Sequence, residues 1–200
     1  MTEEEKAKKA AQAARTRAKI MEGFARAERK LFTRPAPKSP RAQMKFLRTR
    51  EKGSTKSLAE RLGVSRKTVQ RYLSGESTKP NKRLKEALVQ ETESEWQPQV
   101  RAQARQRAAS SGGLVISCRA SFGFGSEGTS DAGRVRDISV AVSPSHAAAI
   151  IAAQEDGATD SDLHDVVAEA IADAYFRQGG GGRAGLEVEF ADVEWLKIAF

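Results

Sequence analysis

Apolar residues recur at helical spacing through the first half of the chain and cluster as strands in the second. Within 55–74, Leu58, Ala59 and Leu62 share one face, and after a break Val69, Tyr72 and Leu73 return at the same spacing. Gly63 stands at the break, where a positive φ costs little without a Cβ. Val64 fills the gap behind it. Ser65 is a natural N-cap, because its hydroxyl can accept from free backbone N–H groups. Ala59 must be small where the two helices cross. The spacing predicts a helix-turn-helix. A helix over 41–50 precedes it, with Ala42, Met44, Phe46 and Leu47 as its apolar contacts. Another follows Pro80, with Leu84, Leu88 and Val89 turned inward. The 2–30 segment is rich in Ala, Glu, Lys and Arg, and its stripe of Ile20, Met21, Phe24 and Leu31 comes late. A solvated helix, a helix formed on DNA and a disordered basic arm all fit it. Pro35, Pro37 and Pro40 make 32–40 a linker, since proline is excluded from helix interiors.

After Ser110-Ser111-Gly112-Gly113 the period changes. Residues 114–122 and 134–142 read as strands of a long hairpin joined by a Gly-rich loop over 123–133. Ser143 and Pro144 open a helix with Ile150 and Ile151 inside. Thr159 or Asp160 caps a second, whose Leu163, Val166, Val167, Ala170, Ile171 and Ala174 form a strong stripe. Gly179 to Gly182 read as a flexible turn, and 186–190 alternate as a strand that 193–200 could extend. The expected fold is a mostly α N-terminal half with a helix-turn-helix, followed by a small antiparallel α+β domain in the order β-β-α-α-β. The expected division is a basic helical or disordered arm over 1–30, a helix-turn-helix DNA-binding domain over 31–97, a basic linker or helix over 98–112 and an α+β domain over 113–200.

Charge sharpens this division. Residues 1–110 carry 28 Lys and Arg against 12 Asp and Glu, whereas 111–200 carry 6 against 14. One half suits a polyanion and the other does not. Cys118 is the sole cysteine, so an intramolecular disulfide and a cysteine zinc cluster are excluded, and a reducing cytoplasm is the expected setting. No apolar run approaches the roughly 20 residues of a membrane span, and the first residues lack the apolar core of a secretory signal.

The candidate chemistry is recognition of nucleic acid. The helix begun by Ser65 would expose Arg66, Lys67, Gln70, Arg71 and Ser74, as a helix in the major groove must. Arg and Lys pair with guanine, and Gln with adenine. An ordinary helical hairpin with a solvated basic face shares this spacing; the surrounding charge favours DNA. Lys79, Lys82, Arg83 and Lys85 would touch backbone. Arg101, Arg105 and Arg107 form a solvated strip suited to phosphates, as do Arg15, Arg17, Lys19, Arg26, Arg29 and Lys30. Enzymatic constellations are lacking. His146 and His164 are not at metal-ligand spacing, and Gly179 to Gly182 have no following Lys-Ser/Thr to make a phosphate loop. A helix-turn-helix transcriptional regulator whose C-terminal domain dimerises or binds an effector is the alternative, with the helix from Leu163 to Tyr175 as a dimer face. A single-strand-binding protein is a third, though Phe122 and Phe124 are thin for a stacking platform.

Three segments go further. They are Phe32-Thr33-Arg34-Pro35-Ala36-Pro37-Lys38-Ser39, the run from Trp96-Gln97-Pro98-Gln99-Val100 to Ser110-Ser111-Gly112-Gly113, and Gly128-Thr129-Ser130-Asp131-Ala132-Gly133-Arg134-Val135-Arg136. In this order around a helix-turn-helix, they resemble the telomere terminal proteins of Streptomyces linear chromosomes and plasmids. The likeness runs over 31–197. It implies a protein that binds telomeric DNA, duplex and 3′ overhang, with a telomere-associated partner protein. Such a protein becomes joined to the 5′ end when a DNA polymerase transfers the first deoxynucleotide to its hydroxyl. It is a primer and acceptor rather than an enzyme, binds no cofactor itself, and would meet Mg²⁺ only with the polymerase. The α+β domain over 113–200 is then the candidate priming domain. The acceptor is implied at the second hydroxyl of the 123–133 tip, which is Ser130, where the family has Thr. Thr129 ranks second and Ser126 third. Asp131 could accept a hydrogen bond or help hold a polymerase metal ion, and Arg134 or Arg136 could meet the incoming phosphate.

Overall fold

The computed structural model describes residues 3–126, 129–177 and 187–200; the side chains at 5, 9, 124–126, 129–132, 187 and 189 lie outside the description. The chain is mostly helical, with one small three-stranded antiparallel sheet near its C-terminus. It divides into two compact units. One is continuous, Phe32–Val100. The other joins Met1–Leu31 to Arg101–Phe200.

The continuous unit holds α2 (Pro40–Arg50), α3 (Thr55–Leu62), α4 (Arg66–Ser74) and α5 (Lys82–Glu95). Each starts at a side-chain cap, Ser39, Ser54, Ser65 and Asn81 in turn, whose oxygen accepts a free backbone N–H. Met44, Leu47, Leu58, Ala59, Leu62, Val69, Tyr72, Leu84 and Leu88 form its core. Val89, expected inward, is exposed. Arg61 closes the side of the unit against Glu51, Glu91 and Glu95 at 2.6–3.0 Å. Burial pulls its pKa down, but the three carboxylates outweigh that and hold it above the usual value.

In the discontinuous unit, β1 (Leu114–Ser126) lies between β2 (Thr129–Val142) and β3 (Glu187–Ala199). Alternation sorts the faces. Leu114, Ile116, Cys118, Ala120 and Phe122 of β1 are buried, as are Ile138, Val140 and Val142 of β2. Opposite them in the same core stand α1 (Glu3–Leu31) and α8 (Asp160–Ile171), with α7 (Pro144–Glu155) beside α8. The other face of the sheet carries exposed Val115, Val135, Asp137, Glu194 and Lys197. In β3, residues 192–194 stand opposite Ala120 alone. This bulge adds two residues without changing faces, with Asp192 at φ 45°, so Phe190, Leu196 and Ile198 all point inward.

Several expectations give way here. The 1–30 segment is no arm. Ile20 and Phe24 are fully buried in the core with Ala27, and each large side chain contributes about 1.5–3 kcal/mol by leaving water. Arg17 donates to the carbonyl of Ala158, and Lys19 to that of Val193, so neither is held out for phosphate. The second segment of the discontinuous unit begins at Arg101 rather than at 113. The 98–112 stretch is α6 (Pro98–Arg107) followed by a wide π-helical turn, Ala108–Gly112, that buries Ala108. Gly113 then enters β1 at φ 67°, where an added Cβ would fall 2.2 Å from the carbonyl oxygen of Val142. A packed join therefore replaces the expected boundary. The described parts of the expected loop, 123–126 and 129–133, are strand rather than loop. Their backbone continues the ladder, Phe124 opposite Asp131 and Gly125 opposite Ser130, while β3 pairs with Gly123 to Gly125 on the other side. Pairing on both sides satisfies backbone groups that a loop would leave to water. The α8 stripe is also taken: Leu163, Val167, Ala170 and Ile171 lie in the core, while Tyr175 beyond the end of α8 is exposed. The expected turn at Gly179 to Gly182 and the strand start at Leu186 lie outside the described residues.

Candidate nucleic-acid interface

Helices α3 and α4 meet through three residues. The α3 backbone ends at Gly63, φ 62°, and the N–H of Val64 returns to the Ala59 carbonyl at 3.0 Å. The Ser65 hydroxyl accepts from the Thr68 N–H at 3.1 Å and lies 2.9 Å from the Thr68 hydroxyl. Ser65 is thus used by the helix start, and its role is to set the direction of α4.

Buried Val69 and Tyr72 fix the inner face of α4, so Arg66, Lys67, Gln70 and Arg71 are all exposed. They are not equally available. The Arg66 Nε donates to the Thr55 hydroxyl at 3.0 Å, and the Arg71 Nε to Glu76 at 2.7 Å. The side chains of Lys67 and Gln70 make no hydrogen bond among the described residues. Both exposed contacts of the arginines are of a kind worth at most about 1 kcal/mol, which a phosphate or base edge can displace. Lys79, Lys82 and Arg83 are exposed. Arg83 sits at the α3–α4 turn, its guanidinium 3.4 Å from where a Cβ on Gly63 would stand. Arg41 was missed by sequence reasoning. Its Nε donates to the Leu73 carbonyl at 3.1 Å, a cation at the C-terminal end of α4. With 32 residues between them, no local pattern announces this contact.

The expected strip on α6 is split. Arg105 grips buried Glu28 at 2.6 Å and Glu155 at 2.7 Å, and the Arg101 Nε lies 3.3 Å from Glu28. Burial lowers the Arg105 pKa, yet the hydrogen bonds it donates to Glu155 and Glu28 raise it overall. Only Arg107 of the three is exposed. The reason for the difference is Glu28: a carboxylate 4 % exposed must be paired, and α1 brings it to α6.

The side chains of Ser126, Thr129, Ser130 and Asp131 lie outside the described residues. Of the arginines that follow, Arg134 is exposed, while Arg136 is half-buried with its guanidinium 5.9 Å from the Phe176 ring centre. Phe122, a candidate for base stacking, is fully buried.

Other chemistry resolves into packing. The His146 Nδ1 faces the Ser143 hydroxyl at 3.0 Å and Asp173 at 3.9 Å. Both partners meet the same ring nitrogen, whereas a relay needs one on each. His164 reaches the Phe190 carbonyl at 2.6 Å and Asp165 at 3.0 Å. Burial, then the Asp137 charge, pushes the Cys118 thiol up to about 12, so at neutral pH it behaves as a small core residue. Among the described residues no group of three or more His, Cys, Asp or Glu is placed to hold a metal, and no helix is long and apolar enough to cross a membrane. No protein-family model matches the chain, and neither the curated proteins nor the solved structures compared with it give a match.

Proposed function

We propose that this chain binds duplex DNA through a helix-turn-helix formed by α3 and α4, and acts as a telomere terminal protein of a linear replicon. The observation that carries the first step is the outer face of α4. Lys67 and Gln70 stand exposed on a helix whose direction is fixed by the Ser65 cap, between two arginines whose exposed contacts are weak. The structural division adds weight. Phe32–Val100 holds 16 Lys and Arg against 7 Asp and Glu, a formal +9, while the other unit holds 18 against 19. Positive charge is thus concentrated in the unit that carries α4.

The second step rests on the resemblance of the three segments. In it, the hydroxyl oxygen of Ser130, or failing that Thr129, attacks the α-phosphorus of a deoxynucleoside triphosphate. A phosphoester forms, pyrophosphate leaves, and the hydroxyl proton passes to a nearby base. A DNA polymerase with its Mg²⁺ supplies the catalysis, a telomere-associated protein brings the complex to the DNA end, and the setting is the cytoplasmic nucleoid. For the regulator alternative, the α8 residues Leu163, Val167, Ala170 and Ile171 are packed in the core, which weighs against dimerisation through them but not against an effector-binding domain.

The test is incubation with polymerase, partner protein, Mg²⁺ and a labelled deoxynucleotide, followed by SDS and peptide mapping. Label that survives SDS and maps within 129–130 is the expected result. Undiminished labelling of the Thr129→Val, Ser130→Ala double variant would rule out both hydroxyls, and absence of any protein-bound label would remove the priming role.

A further inference from the structure

A second binding feature lies in the same unit as α4. Thr33, Arg34, Phe46, Arg50 and the 96–100 stretch line a groove of about 510 Å³. Two aromatic rings meet there, Phe46 edge-on to Trp96 with centres 5.0 Å apart. Each carries a guanidinium: Arg34 at 5.3 Å from the Trp96 centre and Arg50 at 5.2 Å from that of Phe46. The indole N–H is already occupied, donating to the Arg34 carbonyl at 3.1 Å, so what Trp96 has left to offer is its π-face. Gln97 holds the wall in place. Its backbone is left-handed, φ 46°, and its side-chain oxygen accepts from the Thr33 N–H at 3.0 Å. A non-glycine residue in that conformation, braced by its own side chain, marks a built loop rather than a slack one.

We infer that this groove takes an unpaired deoxynucleotide of single-stranded DNA, its base against Trp96 and its phosphate on Arg34. The composition of the groove selects this occupant. Stacking on an aromatic ring beside arginine is how proteins hold unpaired bases without reading their sequence. The surrounding unit is +9 and suits a polyanion. The two cations differ in a way that assigns the phosphate. Arg50 is already turned to Glu95, donating to its carbonyl at 3.1 Å with the carboxylate 3.9 Å away. Arg34 meets no carboxylate among the described residues and is exposed on the segment before α2. A base entering over Trp96 would displace the Arg34 guanidinium from the ring and leave it beside the sugar–phosphate. The inference rests on the DNA-binding reading only in taking a polyanion as the ligand.

The experiment uses the full chain with Trp195→Phe, so that Trp96 is the only indole, and titrates it with a short oligothymidylate. Saturable quenching of the Trp96 emission is expected. Adding Arg34→Gln should weaken the strand about tenfold and flatten its salt dependence, with duplex affinity unchanged. Trp96→Phe, followed by anisotropy of a labelled strand, should weaken it less, because a smaller ring remains. Strand binding with no change in Trp96 emission would overturn the inference, as would equal affinity for the parent and the Arg34→Gln variant. The Lys67→Ala, Gln70→Ala variant separates the two sites. If its duplex affinity is unaltered while Trp96 quenching persists, the groove stands and the α4 reading falls. If its duplex affinity drops while oligothymidylate leaves Trp96 unquenched in the parent, the reverse holds.

Discussion

At the scale of single residues, the face of α4 is a matter of what each side chain is already bonded to. Gln70 is the sharpest case, because it is exposed and its side chain has no hydrogen-bond partner among the described residues. Its amide offers one donor and one acceptor, the pair that an adenine edge presents in reverse. Gln70→Ala should cost about 1–3 kcal/mol on the preferred duplex and little on random duplex, measured by competition at fixed salt. Equal losses on both would remove Gln70 from base reading. Gly63, Ser65 and the apolar positions between 58 and 73 were legible in the sequence, since cap, turn and periodicity are local and each needs one residue type. The tethering of Arg66 to Thr55 and of Arg71 to Glu76 was not. Exposed cations look alike in sequence until their neighbours are placed.

At the scale of elements, α1 and α6 carry the largest difference between expectation and structure. Periodicity gave α1 a weak stripe, because few of its 29 residues are large and apolar. Small residues conceal burial: Ala13 and Ala27 are 7 % and 4 % exposed, and hydropathy alone does not separate a buried Ala from a surface one. The Arg101 and Arg105 spacing read as a solvated strip for the same reason, with their partner Glu28 more than 70 residues away. The consequence is measurable. Arg105→Ala should destabilise the fold by about 1–3 kcal/mol, the cost of removing one charged hydrogen-bond partner from a buried carboxylate that keeps Arg101 at 3.3 Å. Combining Glu28→Met with Arg105→Leu should recover most of it, since an apolar pair of similar volume needs no partner. Chemical denaturation decides the matter, with DNA affinity as the control. A change in the salt slope of DNA binding at unaltered stability would return Arg105 to the phosphate role and count against its structural one.

At the scale of the whole molecule, the strands, the helices between them and their order were readable from position 113 onward, because periods of two and of 3.6 contrast within a short span. The unit they belong to was not, since its first helix precedes the Phe32–Val100 segment and closure by α1 leaves no local sign. Composition misplaced the boundary too. The basic residues of α1 fall within 1–110, yet they belong to a unit that is nearly neutral. Expression from residue 111 would therefore remove Ile20, Phe24, Ala27 and Ala108 from the core they share with the sheet. Losing two fully buried large side chains forfeits about 3–6 kcal/mol, comparable with the whole stability of a marginal domain, about 5 kcal/mol. A 111–200 fragment is expected to lack a cooperative thermal transition, and a chain in which residues 1–31 are linked to 101–200 should regain one. Phe32–Val100 differs, because it is continuous and its core of nine buried residues draws only on α2 to α5. Alone it should fold and keep the duplex affinity of the full chain within about tenfold, with the same steep decline in added salt. Duplex binding that instead follows the linked 1–31 and 101–200 chain would overturn the assignment of DNA recognition to α4.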